Sequence, residues 1–263
     1  MNTMYQFNYS EFTDRNWAYI NRDLQRIIKR TRIFFAGCGL GSLIAETSAR
    51  LGFSNFLLAD GDIVEVSNLN RQIFNKTHIG INKATATASI LRKINSKSNI
   101  EVYRNHIKSE DIPHLARKSD FIINTVDFGK VYSDLVKIVQ SKNKYVLLPF
   151  SVGFGGFVFV FNKDTPSLDE ILGDGTIKND TDFYQTLLKR IPHIELPEYI
   201  SVNLNMIFSE VTKKKNIPQI CIGAEITSAL VVTTIVKILS NHKIPLAPRF
   251  SHVDLLETNH NVF

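Results

Sequence analysis

Three glycines at alternate positions, Gly37, Gly39 and Gly41, follow a short apolar run and open a segment with helical periodicity. Glycine lets a backbone approach a phosphate closely, and a helix N-terminus offers free N–H groups and the positive end of the helix dipole. A carboxylate, Asp60, ends the next apolar run roughly twenty residues later, at the spacing expected for a group that accepts hydrogen bonds from ribose hydroxyls. This combination favours nucleotide binding over a tight turn without a ligand.

Polar and basic residues are concentrated after this carboxylate, and we assign them to the same nucleotide site. They are Asp62, Asn68, Asn70, Arg71, Gln72 and Lys83. Arginine and lysine can neutralise the charge that moves onto pyrophosphate as it leaves a triphosphate. A dinucleotide-dependent dehydrogenase would share the glycine loop, but it needs no such cluster of cations, and its strict fingerprint has Gly or Ala where this chain has Ser42. The set therefore favours a triphosphate.

Alternating strands and helices must position these groups. The apolar runs predict strands at 32–36, 55–59, 100–103, 121–125 and 145–150, and the helical spacing predicts helices at 21–29, 42–51, 83–95 and 131–142. Strands that alternate with helices indicate a parallel sheet covered on both faces. We therefore predict an α/β fold with a doubly wound, mostly parallel, Rossmann-like sheet.

The second half of the chain is less regular. Residues 155–161 predict a further strand, added antiparallel, and residues 249–255 predict a last strand. Between them, 162–219 contains four prolines and few long apolar runs, so we interpret it as an irregular crossover or substrate region inserted in a single domain, 1–263. The segment 224–240 is helical and apolar on nearly all sides, which predicts burial in the core or in a subunit interface.

Composition restricts the class of protein. The 263 residues are 44% hydrophobic and 21% charged, which is typical of a globular protein and excludes a disordered or low-complexity chain. The net charge of +6 is too diffuse to indicate DNA binding. The N-terminal residues lack a charged segment followed by an apolar run, and no apolar stretch reaches the roughly 20 residues of a membrane span. We expect a cytoplasmic protein that binds neither DNA nor membranes.

The two cysteines exclude a disulfide framework and a four-cysteine zinc site, so we expect no zinc. Cys38 lies in the glycine loop and is interpreted as a packing residue. Cys221 lies at the start of the apolar helix, where a helix N-terminus can activate a thiol, so it could accept an acyl group. Its apolar neighbours Ile220 and Ile222 favour the alternative, a small buried side chain.

At these residues the sequence resembles the ThiF/MoeB/HesA family, the bacterial relatives of ubiquitin-activating enzymes. The run ADGDIVEVSNLNRQIF, 59–74, is similar to the family signature D-x-D-x-V-x-x-S-N-L-N-R-Q at nearly every defined position. The resemblance covers 15–161 well, and 224–240 by position and character. The chain departs from the family in its glycine loop, where Ala36 and Cys38 replace glycines, and in lacking the paired CxxC motifs of many members.

The resemblance implies Mg-ATP-dependent adenylation of a carboxylate with release of pyrophosphate. In the family this carboxylate is usually the C-terminal glycine of a ubiquitin-like or sulfur-carrier protein. Carried over to this chain, Asp60 holds the ribose and Asp127 binds Mg²⁺. Gly39 and Gly41 line the phosphate loop, and the phosphates are contacted by Asn68, Arg71 and Lys83. Arg15 matches an N-terminal arginine that the family supplies across a homodimer interface.

Other functions remain open from the sequence. The adenylated group could be a small-molecule, peptide or tRNA-linked carboxylate, as in the tRNA-modifying dehydratases of the family. The chain could also be a nucleotide-binding scaffold without catalysis. The joint presence of Asp60, Arg71, Lys83 and Asp127 speaks against a scaffold.

Overall fold

One mixed sheet organises the chain. The computed structural model describes residues 6–141, 144–173, 182, 186, 198–202 and 218–256. The strands are β1 (Arg32–Ala36), β2 (Asn55–Ala59), β3 (Asn99–Tyr103), β4 (Phe121–Asn124), β5 (Tyr145–Val152), β6 (Gly155–Phe161) and β7 (Phe250–Asp254). Their order is β3-β2-β1-β4-β5-β6-β7. The pairs from β3 to β5 are parallel, and β6 and β7 are added antiparallel.

Helices cover both faces of this sheet. In the described residues they are α1 (Tyr9–Phe12), α2 (Arg22–Arg30), α3 (Leu40–Leu51), α4 (Lys83–Ile94), α5 (Ile112–Ala116), α6 (Lys130–Ser141), α7 (Leu168–Leu172), α8 (Glu198–Ser201) and α9 (Cys221–Leu239). Helices α2, α3, α4 and α9 share one apolar core with the sheet, and α5, α6 and α7 share the other.

The central strand β1 explains why both faces must be covered. Ile33 and Phe35 enter the core beneath α3 and α9, whereas Phe34 and Ala36 enter the core beneath α6. All four side chains are fully buried. A strand that is apolar at every position is typical of a parallel sheet with helices on both sides.

The predicted fold class, including the antiparallel extension, is confirmed. Several boundaries differ by a few residues. β5 continues to Val152 because Ser151 and Val152 pair with the start of β6, a contact that the apolar run alone does not signal. α3 begins at Leu40 because Gly39 already serves as its N-cap. Most of 162–219 lies outside the described residues, so the interpretation of that region stays a prediction.

The apolar helix α9 lies in the core. It packs on β5, β6 and α3, and its buried side includes Thr227, Val231 and Ile235. Its length and apolar composition would also suit a membrane-spanning helix. The core helix of a globular protein meets the same two criteria. The sequence left open whether this helix is buried in the core or in a subunit interface. The structure shows it packed against the core of its own chain.

The tight contact between α9 and β6 yields a stability prediction. A Cβ at Gly156 would overlap Thr227 Oγ1 of α9 and lie 2.8 Å from the Phe150 carbonyl oxygen. We expect Gly156→Ala to lower the free energy of unfolding by about 1–3 kcal/mol, the usual cost of overpacking a core. Chemical denaturation measures it. The matched control is Gly129→Ala, whose Cβ would meet no atom of the described residues within 4 Å. An equal loss in both variants would contradict the packing.

Candidate active site

A cavity of about 430 Å³ lies at the carboxyl ends of β2, β1, β4 and β5. Ligands of open α/β sheets bind at this edge, near the point where the strand order reverses. Its walls contain most of the residues that the sequence singled out: Gly37, Gly39, Asp60, Asp62, Asn68, Arg71, Gln72, Lys83 and Asp127. Gly41, Asn70 and Arg15 lie outside its lining. A second cavity, between α6 and α7, is lined by none of the predicted site residues.

The glycine loop is packed against the end of β4. Gly37 has a φ of +95°, and a Cβ there would lie 2.6 Å from Thr125 Oγ1. A side chain would therefore be strained both by the backbone conformation and by this contact. Gly41 is buried in the first turn of α3, where a Cβ would lie 3.0 Å from the same Thr125 oxygen. Gly41 thus allows α3 to approach β4 and does not face the cavity.

The carboxylate of Asp60 is fixed by two backbone donors. Its Oδ2 accepts a hydrogen bond from the Cys38 N–H at 2.6 Å, and its Oδ1 accepts one from the Asp62 N–H at 2.8 Å. Burial raises the pKa of Asp60, and these two hydrogen bonds oppose that rise. A carboxylate has about four lone-pair sites, so this one retains acceptor capacity toward the cavity.

Lys83 begins α4 and is tied to the same loop. Its Nζ lies 2.9 Å from Asp62 Oδ2, and only 13% of its side chain is exposed. Asn82, the N-cap of α4, donates from its side-chain amide to the Asp60 carbonyl oxygen at 2.8 Å. The cap therefore anchors the first turn of α4 to the end of β2, which places the lysine in the cavity wall.

Arg71 is held by three acceptors. Its Nε donates to Gln219 Oε1 at 2.7 Å, and its Nη1 donates to the Ser67 carbonyl oxygen and to Asn70 Oδ1, each at 2.8 Å. Partial burial lowers the pKa of Arg71 from its ordinary value, although a guanidinium keeps its charge in proteins. Asn70 thus contacts the arginine rather than the cavity.

Buried Asn68 holds the turn that precedes Arg71. Its side-chain oxygen accepts a hydrogen bond from the Glu65 N–H at 2.9 Å, and its carbonyl oxygen accepts one from the Gln72 N–H at 3.0 Å. The motif therefore has a structural part, which shapes the loop, and a part that faces the cavity.

Three buried polar atoms of the cavity wall lack a hydrogen-bond partner among the described residues. They are Gln72 Oε1, Asn124 Oδ1 and Ser151 Oγ. Buried polar atoms are nearly always hydrogen-bonded, so a bound water or a polar ligand would complete the partners of these three atoms. Sequence reasoning missed Asn124, Ser151 and Gln219. The position of Ser151 near the carboxyl end of a predicted parallel strand was the one available signal.

Asp127 follows β4 and lines the cavity. Within the described part of the chain, no group of three or more His, Cys, Asp or Glu could hold a metal by itself. Mg²⁺ usually binds through one or two carboxylates together with phosphate oxygens and water. A single carboxylate beside a phosphate loop therefore fits Mg²⁺ bound together with a nucleotide.

Arg15 lies far from the cavity of its own chain. It belongs to a 3₁₀ turn, Asp14–Asn16, and Asn16 donates from its side-chain amide to the carbonyl oxygen of Leu51, the last residue of α3. α3 has 12 residues and is therefore about 18 Å long, with Leu40 at the cavity and Leu51 at the other end. A contribution of Arg15 to catalysis thus requires a second chain.

The two thiols differ in environment. Cys38 is buried, and desolvation raises its pKa well above the ordinary value, as expected for a packing residue. The interpretation of Cys221 as a buried side chain is wrong, because Cys221 is exposed at the first position of α9. Its neighbours Ile220 and Ile222 are 36% and 41% exposed, so their apolar character did not signal burial.

A sequence model described as the ThiF family matches residues 13–263. The chain belongs to the ThiF family. The adenylyltransferase and sulfurtransferase MOCS3-1 of Zea mays is 34% identical over 105 residues, which cover 39% of this chain and 22% of the relative. The SUMO-activating enzyme subunit 2 of Dictyostelium discoideum is 27% identical over 139 residues, covering 52% and 21%. The chain therefore matches less than a quarter of the length of these relatives.

Solved structures share the ThiF-family fold over nearly the whole chain. A crystal structure of PaaA has a TM-score of 0.70 and 19% identity, covering 98% of this chain and 84% of that one. A crystal structure of E. coli MccB with MccA-N7isoASN has a TM-score of 0.70 and 17% identity, covering 96% and 70%. At these identities the likeness establishes the fold alone.

The thiol environments of this ThiF-family chain predict selective alkylation. In the native protein, iodoacetamide should modify Cys221 quickly, whereas Cys38 should react only after unfolding, because it is buried and remains protonated at neutral pH. Mass spectrometry of the alkylated protein measures both sites. Cys221→Ser should abolish the fast reaction; rapid labelling of Cys38 in the folded variant would contradict the loop packing.

Proposed function

We propose that this ThiF-family chain is a Mg-ATP-dependent adenylyltransferase that activates a carboxylate, the C-terminal glycine of a ubiquitin-like or sulfur-carrier protein. The observation that carries the proposal is the arrangement of the cavity. One cavity is lined by a fixed carboxylate, a glycine loop, two cations and a further acid. They are Asp60, the Gly37–Gly39 turn, Arg71, Lys83 and Asp127.

The nucleotide contacts these groups in the order in which they lie along the sheet, with the ribose first and the phosphates after it. The ribose hydroxyls donate to Asp60 at the end of β2, and the phosphates follow the glycine loop to the N-terminus of α3. Lys83 and Arg71 reach the phosphates from the loop that joins β2 to α4. Both cations are already held by neighbouring side chains, so little ordering is needed when the nucleotide binds.

Adenylation then proceeds at the α-phosphorus. An oxygen of the substrate carboxylate forms a bond to the α-phosphorus, while the bond from that phosphorus to the bridging β-oxygen breaks and pyrophosphate leaves with the electron pair. Arg71 and Lys83 stabilise the charge that develops on pyrophosphate. Asp127 would hold Mg²⁺, which supplies further neutralisation of the phosphates.

Two kinds of support favour a protein C-terminus as substrate. The chain resembles, at its signature 59–74, a family that acts on ubiquitin-like and sulfur-carrier proteins. The relatives described above are named an adenylyltransferase and sulfurtransferase and a SUMO-activating enzyme subunit. The partner implied is a small protein whose chain ends in glycine.

The test is ATP–pyrophosphate exchange with candidate small proteins that end in glycine. We expect exchange with one of them and none with the same protein carrying a C-terminal amide, because the amide lacks the attacking oxygen. Lys83→Ala and Asp127→Ala should reduce this exchange by at least 10²-fold, as expected for groups that stabilise transition-state charge.

The matched controls are Lys76→Ala and Asp164→Ala, which change exposed side chains outside the cavity. All four variants should unfold with free energies near that of the wild type. Exchange at the wild-type rate in Lys83→Ala or Asp127→Ala would refute the roles assigned to these residues. Equal exchange with the free C-terminal carboxylate and with its amide would refute the substrate class.

We further propose that Arg15 acts in the cavity of a second copy, in a homodimer. The distance of Arg15 from its own cavity and the resemblance to the family support this arrangement. An arginine supplied by the partner would stabilise charge on the departing pyrophosphate.

Mixing two inactive variants tests the dimer. Arg15→Ala and Lys83→Ala damage different halves of each site, so a heterodimer would contain one intact site. Random exchange of subunits in a two-fold dimer should restore about a quarter of the wild-type sites. Pyrophosphate exchange measures the recovery, and native mass spectrometry confirms subunit exchange. Confirmed exchange of subunits without recovery of activity would refute the role of Arg15.

A further inference from the structure

Gln219 is the last residue before the N-cap of α9, and its side chain reaches the loop that follows β2. Its Oε1 accepts the hydrogen bond from Arg71 Nε at 2.7 Å, between residues that are 148 positions apart in the sequence. Both side chains line the cavity. The contact therefore joins the end of the crossover segment to the arginine that we assign to the phosphates.

Each acceptor that holds the Arg71 guanidinium in the described structure is a neutral oxygen. Gln219 and Asn70 supply amide oxygens, and Ser67 supplies its backbone carbonyl oxygen. Among the described residues, no carboxylate forms an ion pair with this arginine. Lys83, the other cation of the site, differs, because its Nζ lies 2.9 Å from a carboxylate oxygen of the cavity wall. The charge of Arg71 is therefore not compensated by a neighbouring side chain, whereas that of Lys83 is in part.

The hydrogen bonds of Arg71 leave one of its nitrogens for a ligand. A guanidinium has five N–H donors in a fixed planar fork. The single N–H of Nε and the two of Nη1 already have acceptors, and no acceptor contacts Nη2 among the described residues. Because the group is planar, holding Nε and Nη1 also fixes the position of Nη2 and the direction of its two N–H bonds. A hydrogen bond from Arg71 to a ligand in the cavity would therefore come from Nη2.

Gln219 is the acceptor that comes from a distant segment of the chain. Ser67 and Asn70 lie in the same loop as Arg71, and both accept hydrogen bonds from Nη1. Among the described residues, Gln219 alone accepts from Nε. Without it, the guanidinium would be held at one nitrogen, about which it could pivot, and a partly buried N–H donor would lack an acceptor. Gln219 therefore sets the orientation of the guanidinium.

We propose that Gln219 is a positioning residue for phosphate binding: its neutral side-chain oxygen fixes the Arg71 guanidinium without cancelling its charge. A carboxylate at the same place would hold the guanidinium equally well, but its negative charge would oppose the approach of a phosphate. That the bound anion is the triphosphate of a nucleotide rests on the proposed function. The contact itself favours binding of any pyrophosphate group, with or without adenylation.

A double-mutant cycle with inorganic pyrophosphate tests whether Gln219 acts through Arg71. The full chain would be titrated in a calorimeter without nucleotide, as the wild type, Gln219→Leu, Arg71→Met and the double variant. We expect Gln219→Leu to raise the Kd of pyrophosphate about tenfold, the usual effect of losing a hydrogen bond that involves a charged group. In the Arg71→Met background the same substitution should change the Kd by less than about twofold, because no guanidinium is left to orient.

Gln219→Glu tests whether the acceptor must be neutral. This variant keeps an oxygen for Arg71 Nε and strengthens the hydrogen bond, because a charge-assisted bond is about twice as strong as a neutral one. We expect a free energy of unfolding at or above that of the wild type, together with a rise of about tenfold or more in the Kd of pyrophosphate. A residue that only holds the two segments together would leave the affinity unchanged or raise it. The matched control is Gln6→Glu, which adds the same charge at an exposed position outside the cavity and should leave the Kd near that of the wild type.

Three results would overturn the proposal: an effect of Gln219→Leu that is absent or is equal with and without Arg71, unchanged affinity in Gln219→Glu, or no binding of pyrophosphate to the wild type. Unfolding measurements ensure that each variant is folded. The test is independent of adenylation. Coupling of Gln219 to Arg71 in a chain that shows no pyrophosphate exchange with any candidate protein would retain the positioning role and refute the adenylyltransferase activity, whereas exchange without coupling would do the reverse.

Discussion

The hydrogen bond from the Cys38 N–H to Asp60 joins the two strand ends on which the site depends. It fixes the glycine loop after β1 relative to the carboxylate after β2, and the loop packs on Thr125 after β4. Burial raises the pKa of Asp60, so the charged carboxylate costs stability. This cost is absent at a pH below the ordinary pKa of the group, appears as the pH rises through the raised pKa, and is present in full above it. The two backbone hydrogen bonds reduce it, and the remaining acceptor capacity is available to a ligand.

Much of this arrangement could be predicted from the sequence, because it follows from local patterns. Runs of buried apolar residues identified β1 and β2 with their observed bounds, and the strand–helix alternation gave the parallel order. Parallel strands end at one edge, so residues at the ends of β1, β2 and β4 had to meet. Local patterns could not show which residues of the signature 59–74 shape the loop and which face the cavity. Asn68 and Asn70 are close in sequence to Arg71, yet one shapes the turn and the other contacts the arginine.

The features that sequence reasoning missed depend on contacts between distant segments. Gln219 reaches Arg71 across 148 positions of the chain. The first turn of α9 packs closely on the β5–β6 turn, where a Cβ at Gly223 would lie 2.3 Å from the Gly153 carbonyl oxygen. The apolar neighbours of Cys221 predict a buried side chain, whereas Cys221, Ile220 and Ile222 are all exposed in the structure. These contacts place Gln219, at the end of the crossover segment, beside Arg71 in the cavity wall.

Competition calorimetry would show whether the cavity binds a magnesium triphosphate, as proposed above. The wild-type chain would be titrated with ATP in the presence of Mg²⁺ or of EDTA, and with NAD⁺ as competitor. We expect one ATP to bind per chain, with an affinity that falls when Mg²⁺ is removed and no displacement by NAD⁺. Metal-independent binding of NAD⁺ that excludes ATP would contradict it, because the same glycine loop and Asp60 would then serve a dinucleotide.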